Sequence, residues 1–183
     1  MFEQSLPFFH VQTRKNKYRN DESFQKEFIF RFYRRNHKGL IKYIVSAKQY
    51  DDRFLTLDYY PKINLTPKPS SGGTVQDLRY RMLTRQNAFG YIGGTIMEIM
   101  LAIQEQTQIY TWGFLAANLP NETTNVNNKR YVVYTEVLRR SFKNKQRVLG
   151  NKDKSAIFVL PIELLEDKES IIKEYERLFS ETN

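Results

Sequence analysis

The segment Phe28-Ile29-Phe30-Arg31-Phe32-Tyr33-Arg34-Arg35, broken by Asn36-His37-Lys38-Gly39 and resumed by an apolar run over 40–47, most limits the folds open to this chain. Aromatic and β-branched side chains suit a pleated, half-buried surface and lose rotamer freedom in a helix. Asparagine and glycine inside a four-residue break suit the positive φ of a tight turn. The segment therefore predicts a β-hairpin. Side chains alternate across a strand, so Phe28, Phe30 and Phe32 fall on one face and Ile29, Arg31 and Tyr33 on the other, which marks the phenylalanines as core. Residues 53–60 alternate as a third strand, entered through a turn at Asp51-Asp52. An antiparallel meander follows.

Before the hairpin, residues 1–27 are polar and without a clear period, and they read as an arm or irregular cover. After the meander, Pro61, Pro67 and Pro69 with Ser70-Ser71-Gly72-Gly73 predict a long loop over 61–73. Residues 78–86 alternate weakly and read as a fourth strand. Thr95-Ile96-Met97-Glu98 has the pattern of a capping box, and Ile96, Ile99, Met100 and Ile103 recur at helical spacing behind it. A buried strand over 109–117, a second helix over 129–145 and a strand over 156–160 complete the expectation. They precede a terminal helix with Ile171, Ile172, Tyr175, Leu178 and Phe179 on its apolar stripe. The fold class is α+β: a meander of three to four strands, then helix, strand, helix, strand and C-terminal helix, the helices packed on one sheet of a single domain over 28–183.

At 40% hydrophobic and 14% aromatic residues the chain is apolar enough to pack, and 183 residues suffice for one core. It has no cysteine, which removes disulfides, thiolate nucleophiles and every cysteine-bearing metal site. No apolar run reaches the roughly 18 residues of a membrane span, and the first ten residues lack a basic segment ahead of an apolar one. A cytoplasmic protein with no membrane partner is expected. The net charge is +9 and the pI about 9.6. Residues 1–160 hold 26 Lys/Arg against 13 Asp/Glu, whereas residues 161–183 hold 3 against 7. A field so concentrated attracts phosphate polymers.

Three stretches carry the cations. On the hairpin, Arg31, Arg34, Arg35, Lys38 and Lys42 stand among Tyr33 and Tyr43, a mixture in which cations hold a phosphate backbone and exposed rings stack on unpaired bases. As a strand, the second stretch would set Arg79, Arg81 and Arg85 on one face. On the second helix, Tyr131, Tyr134, Leu138 and Phe142 take one side, while Lys129, Arg140, Lys143 and, if the helix continues, Arg147 take the other, flanked by Arg139. Contact of about seven of these cations with phosphates would make affinity fall with about the sixth power of salt concentration on duplex DNA.

Catalytic constellations are lacking. Gly90-Tyr91-Ile92-Gly93-Gly94-Thr95 ahead of a helix could cradle a phosphate, but it has neither the lysine nor the spacing of a P-loop. His10 and His37 have no neighbour at metal-ligand spacing. Asp51, Asp52, Asp58 and Glu98 read as turn residues and a helix cap, without the strand-borne Glu-x-Lys of a restriction-like nuclease. No catalytic residue, metal or cofactor is expected. The reading is a non-catalytic binder of nucleic acid, single-stranded RNA or DNA favoured, or of a ribonucleoprotein. The alternatives are a small mobile-element or phage-type inhibitor of a nucleic-acid-guided defence nuclease, resembling anti-CRISPR proteins, and a metal-dependent nuclease.

Asn36-His37-Lys38-Gly39-Leu40-Ile41-Lys42, the helix at Thr95, the strand Tyr110-Thr111-Trp112-Gly113-Phe114 and Lys129-Arg130-Tyr131-Val132-Val133-Tyr134 together resemble a family of small uncharacterised bacterial proteins. In that family a bent antiparallel sheet carries one long helix and a KR-x-x-x-Y segment opens the next. The resemblance spans about residues 28–160 at the level of pattern, and implies a fold without an activity. The order of hairpins and helix is also similar to the PUR and Whirly type of single-strand binders, whose tandem repeat is absent here.

Overall fold

A computed structural model of the protein describes residues 4–16, 24–36, 39–50, 52–62, 89–116, 126–142 and 145–180. Among these residues seven strands form one mixed sheet: β1 (Phe8–Lys15), β2 (Lys26–Asn36), β3 (Gly39–Gln49), β4 (Phe54–Lys62), β5 (Thr111–Leu115), β6 (Gln146–Asn151) and β7 (Ala156–Pro161), in the order β1-β2-β3-β4-β5-β7-β6. Among the described residues three α-helices accompany them: α1 (Phe89–Thr107), α2 (Lys129–Ser141) and α3 (Lys168–Ser180). The α+β class is as expected, but the sheet is larger than a meander of three to four strands. The pair β4–β5 is parallel, whereas β1–β2, β5–β7 and β6–β7 are antiparallel. A parallel pair needs a crossover, and α1 lies between β4 and β5 in the chain.

The chain falls into two compact units: Met1–Lys15, Lys26–Ala47 and Asp58–Gln108 form one, and Asn16–Gln25, Lys48–Leu57 and Ile109–Asn183 the other. In the first unit the hairpin alternation holds except at Ile29, which is buried on the opposite face. Phe28, Phe30 and Phe32 are buried on β2, and Tyr43, Val45 and Ala47 on β3. Phe32 stacks on Tyr43 with ring centroids 4.9 Å apart, and Phe30 receives the edge of Phe8 and the imidazole of His10 from β1. Residues 8–15, expected as irregular cover, are thus a strand. It is an edge strand, fastened by its backbone ladder while nearly all its side chains face water, so no hydrophobic period marks it. Its register slips between His10 and Gln12, a bulge of the kind that blunts a sheet edge.

Helix α1 begins at Phe89, six residues before the expected cap. Thr95 lies inside the helix, buried, with its Oγ1 donating to the Tyr91 carbonyl at 2.7 Å and accepting from the Leu6 N–H at 2.8 Å. The glycines at 90, 93 and 94 cost helix propensity of about 1 kcal/mol each. Ile92 offsets this by extending the buried stripe of Ile96, Ile99, Met100 and Ile103 one turn upstream. The helix stops at Gln108, in the left-handed region at φ 59°, whose N–H bonds the Gln104 carbonyl. Among the described helices none is long and apolar enough to cross a membrane. Most of the expected loop over 61–73 and the strand expected over 78–86 lie outside the described residues; Pro61 and Lys62 close β4.

In the second unit the register assigns a helix to each side of the sheet. Ala156, Phe158 and Leu160 on β7 and Leu149 on β6 share a face packed by Tyr175, Ile171 and Ile172 of α3. Phe54 joins this layer, its ring 3.5 Å from that of Tyr175. The other face carries Trp112, Val159 and Val148 in one row and Phe114, Ile157 and Gly150 in the next. There the Tyr131 ring of α2 covers Gly150 so closely that a Cβ at that position would meet its hydroxyl at 2.0 Å. Asn128 caps α2: its side chain accepts from the Tyr131 N–H at 2.8 Å and donates to the Ala116 carbonyl at 2.5 Å. The helix ends at Phe142, not at residue 145, because the buried residues change period: Gln146 and Val148 alternate as β6. That strand was not expected.

Candidate nucleic-acid interface

Parity along β2 divides the hairpin cations. Glu27, Ile29, Arg31, Tyr33 and Arg35 share the face opposite Phe28, Phe30 and Phe32. Two neighbours extend it. From β3, Ser46 donates to Glu27 Oε1 at 2.6 Å, which places Ser46, Ile44 and Lys42 on this side while Tyr43, Val45 and Ala47 are buried on the other. From β1, Phe9 pairs directly with Arg31 and Arg14 with Glu27. The outcome is a surface with Arg14, Arg31, Arg35 and Lys42 around the rings of Phe9 and Tyr33, and Glu27 as its acid. Arg35 is exposed; Arg31, Tyr33 and Lys42 are half-buried.

Two expected members do not belong to that face. Tyr43 is 2% exposed and stacked on Phe32, so it cannot offer its ring to a base. Burial raises the pKa of its phenol, and the charge and hydrogen bond of Arg34 oppose that rise. Arg34 therefore sits on the core side, engaged with a buried hydroxyl, where the sequence reading had assigned it to phosphates. The physical reason is parity: residues 32 and 34 share a face, and Phe32 takes that face into the core.

Arg31 is held differently. Its guanidinium carbon lies 5.8 Å from the centroid of the Phe9 ring, within cation–π range, and its Nε has no hydrogen-bond partner. Among the described residues neither Arg31, Arg35 nor Lys42 makes an ion pair.

In the other unit, α2 presents Arg139 and Arg140 to solvent together with Val132 and Val133. Arg140 is tied to Glu136, one turn earlier, at 2.7 Å, so the expected row of free cations on this helix is partly neutralised. Lys129 opens the helix. Arg147, expected on the helical face, stands on β6, exposed, with its Nη1 3.4 Å from the Gln146 carbonyl. Lys38, Arg79, Arg81, Arg85 and Lys143 lie outside the described residues. The hairpin cations and the α2 cations thus belong to separate compact units.

The segment Gly90-Tyr91-Ile92-Gly93-Gly94-Thr95 is not a loop ahead of a helix: it lies within α1 from its first turn on, and the N–H groups of Gly93, Gly94 and Thr95 belong to the helix ladder. Asp58 accepts from the Tyr59 N–H at 2.8 Å and Asp52 lies 3.5 Å from the Gln49 amide, while Glu98, expected as part of a helix cap, is an exposed residue inside α1. His10 meets Thr13 Oγ1 at 3.0 Å, while Asp51 and His37 lie outside the described residues. Among the described residues no three His, Asp or Glu side chains are grouped to hold a metal. Sequence reasoning missed Phe9 and left Arg14, visible only as part of a basic cluster in a stretch without period, out of the site. Arg130, quoted from the sequence only as part of the KR-x-x-x-Y segment, is buried on α2. Comparison with known proteins finds no matching family model, no matching curated protein and no matching solved structure.

Proposed function

We propose that this protein acts by binding nucleic acid, single strands favoured, without catalysing a reaction, and that the β1–β3 face of the first unit is the binding surface. One observation carries the reading: Arg31, Arg35 and Lys42 stand on one face of neighbouring strands with Tyr33 among them, and no described carboxylate pairs with them. Cations not already neutralised release counterions from a phosphate chain when they bind it, which is the main source of affinity for such polymers. A sheet face with an accessible ring suits unpaired bases better than the closed stack of a duplex. The overall charge of +9 supports the same partner.

Electrophoretic mobility shift on single-stranded RNA, single-stranded DNA and duplex DNA across a salt series tests the proposal. Three cations with no ion pair among the described residues predict a logarithmic salt slope of about −2 for single strands. Arg35→Gln and Lys42→Gln should each make that slope shallower by about 0.7. Failure to bind any of the three polymers at 50 mM salt sinks the reading.

A further inference from the structure

We infer that the face engages two consecutive unpaired bases, one on Phe9 and one on Tyr33, with Arg31 between them. The inference rests on the nucleic-acid reading above and specifies its ligand. Phe9 is 51% exposed, a large apolar group left in water on a strand whose backbone alone would hold the sheet edge. Its cross-strand partner Arg31 lays a guanidinium over the ring at 5.8 Å. Tyr33 lies two residues farther along β2 on the same face and is only half-buried.

The register sets the spacing. Phe9 is opposite Arg31, so Tyr33 is its diagonal neighbour across an antiparallel pair, about 7–8 Å away. That is about twice the 3.4 Å rise between stacked bases along one strand. A duplex cannot supply bases at such a separation with their faces bare, whereas an extended single strand can place one on each ring. Arg31, flanked by the two rings and without an ion pair among the described residues, is positioned for the phosphate linking the two nucleotides; Arg35 and Lys42 lie beside it for the phosphates that follow. Stacking on rings is tolerant of base identity, so the site selects strandedness and not sequence.

Fluorescence anisotropy with three probes tests this: a labelled 12-nucleotide oligothymidylate, a duplex of the same length, and inorganic polyphosphate, which carries the charge without bases. Phe9→Leu and Tyr33→Leu should each weaken oligothymidylate binding about tenfold and the pair about a hundredfold. Polyphosphate binding should stay within about twofold, and Phe9→Tyr, which keeps the ring, should retain wild-type affinity. Equal losses for oligothymidylate and polyphosphate, or losses under about twofold for oligothymidylate, overturn the stacking assignment while the phosphate-binding face stands. Wild-type protein that binds neither probe overturns both. Thermal midpoints measured on each variant separate a ring lost to the ligand from a strand lost to the fold.

Discussion

Arg14 on β1 and Glu27 on β2 face each other in the strand register and join guanidinium to carboxylate at 2.9 Å, on the same surface as Arg31 and Arg35. The other oxygen of Glu27 accepts from Ser46 on β3, so one acid is held across three strands. Its side chain is only 12% exposed while that of Arg14 is 57% exposed. A pair this accessible contributes about 0–1 kcal/mol to stability. Its larger consequence is for charge, because Arg14 arrives at the surface already neutralised.

Replacing Glu27 by glutamine keeps the shape and the acceptor for Ser46 and removes the charge. Arg14 then becomes a further free cation on the face. Single-strand affinity should rise about threefold at low salt, and the salt slope should steepen by about 0.7. Ser46→Ala, which leaves the carboxylate in place, should leave the slope as it is. A Glu27→Gln protein whose affinity and slope match the wild type would show that this surface does not meet the polymer.

Gly150 makes a prediction that concerns the fold alone. A Cβ there would meet the Tyr131 hydroxyl at 2.0 Å and the ring carbon bearing it at 2.9 Å, and Tyr131 is buried. A rigid ring capped into the first turn of α2 has little room to yield. Gly150→Ala should therefore cost about 1–3 kcal/mol in denaturant unfolding. Adding Tyr131→Phe removes the nearer clash and leaves the farther one, so the double variant should recover part of the loss, with a coupling of about 1 kcal/mol. Strictly additive losses would mean that the ring and the glycine do not touch in solution.

How far the sequence discloses this molecule depends on whether a residue's burial repeats with the period of its element. Phe28, Phe30 and Phe32 are legible as core because burial and pleat share the period of two, and the same parity assembles Arg31, Tyr33 and Arg35. Parity also separates Arg34 from them, a separation hidden when cations are read as a cluster. Tyr43 depends in addition on which residues face Phe32 across the hairpin, and that is a property of register and not of composition. Strand β1 is silent: exposed on both sides, it is held by main-chain bonds that any sequence could make. The start of α1 is concealed by glycines whose propensity cost is met by the burial of Ile92. At β6 the sign is a buried glutamine, Gln146, whose amide reaches the Tyr110 carbonyl. No pattern of apolar residues reports such a strand.

The two phenols shifted by burial give the protein a pH limit on the alkaline side. Tyr43 and Tyr50 both have pKa values raised above the ordinary 10.0, in each case chiefly because burial disfavours the phenolate. Below about pH 10 folded and unfolded chains alike keep these protons, and stability does not respond to them. Above it the unfolded chain ionises first and binds fewer protons than the folded one. Stability then falls until the raised folded value is passed. The charge and hydrogen bond of Arg34 moderate the rise at Tyr43 without reversing it. Urea unfolding from about pH 8 to about pH 11.5 should show midpoints that are level at first and then decline. Tyr43→Phe should make the decline shallower while lowering the plateau by about 1 kcal/mol for the lost hydroxyl bond, and adding Tyr50→Phe should make it shallower still. A decline of the same steepness in all three proteins would mean that neither phenol is buried as the structure has it.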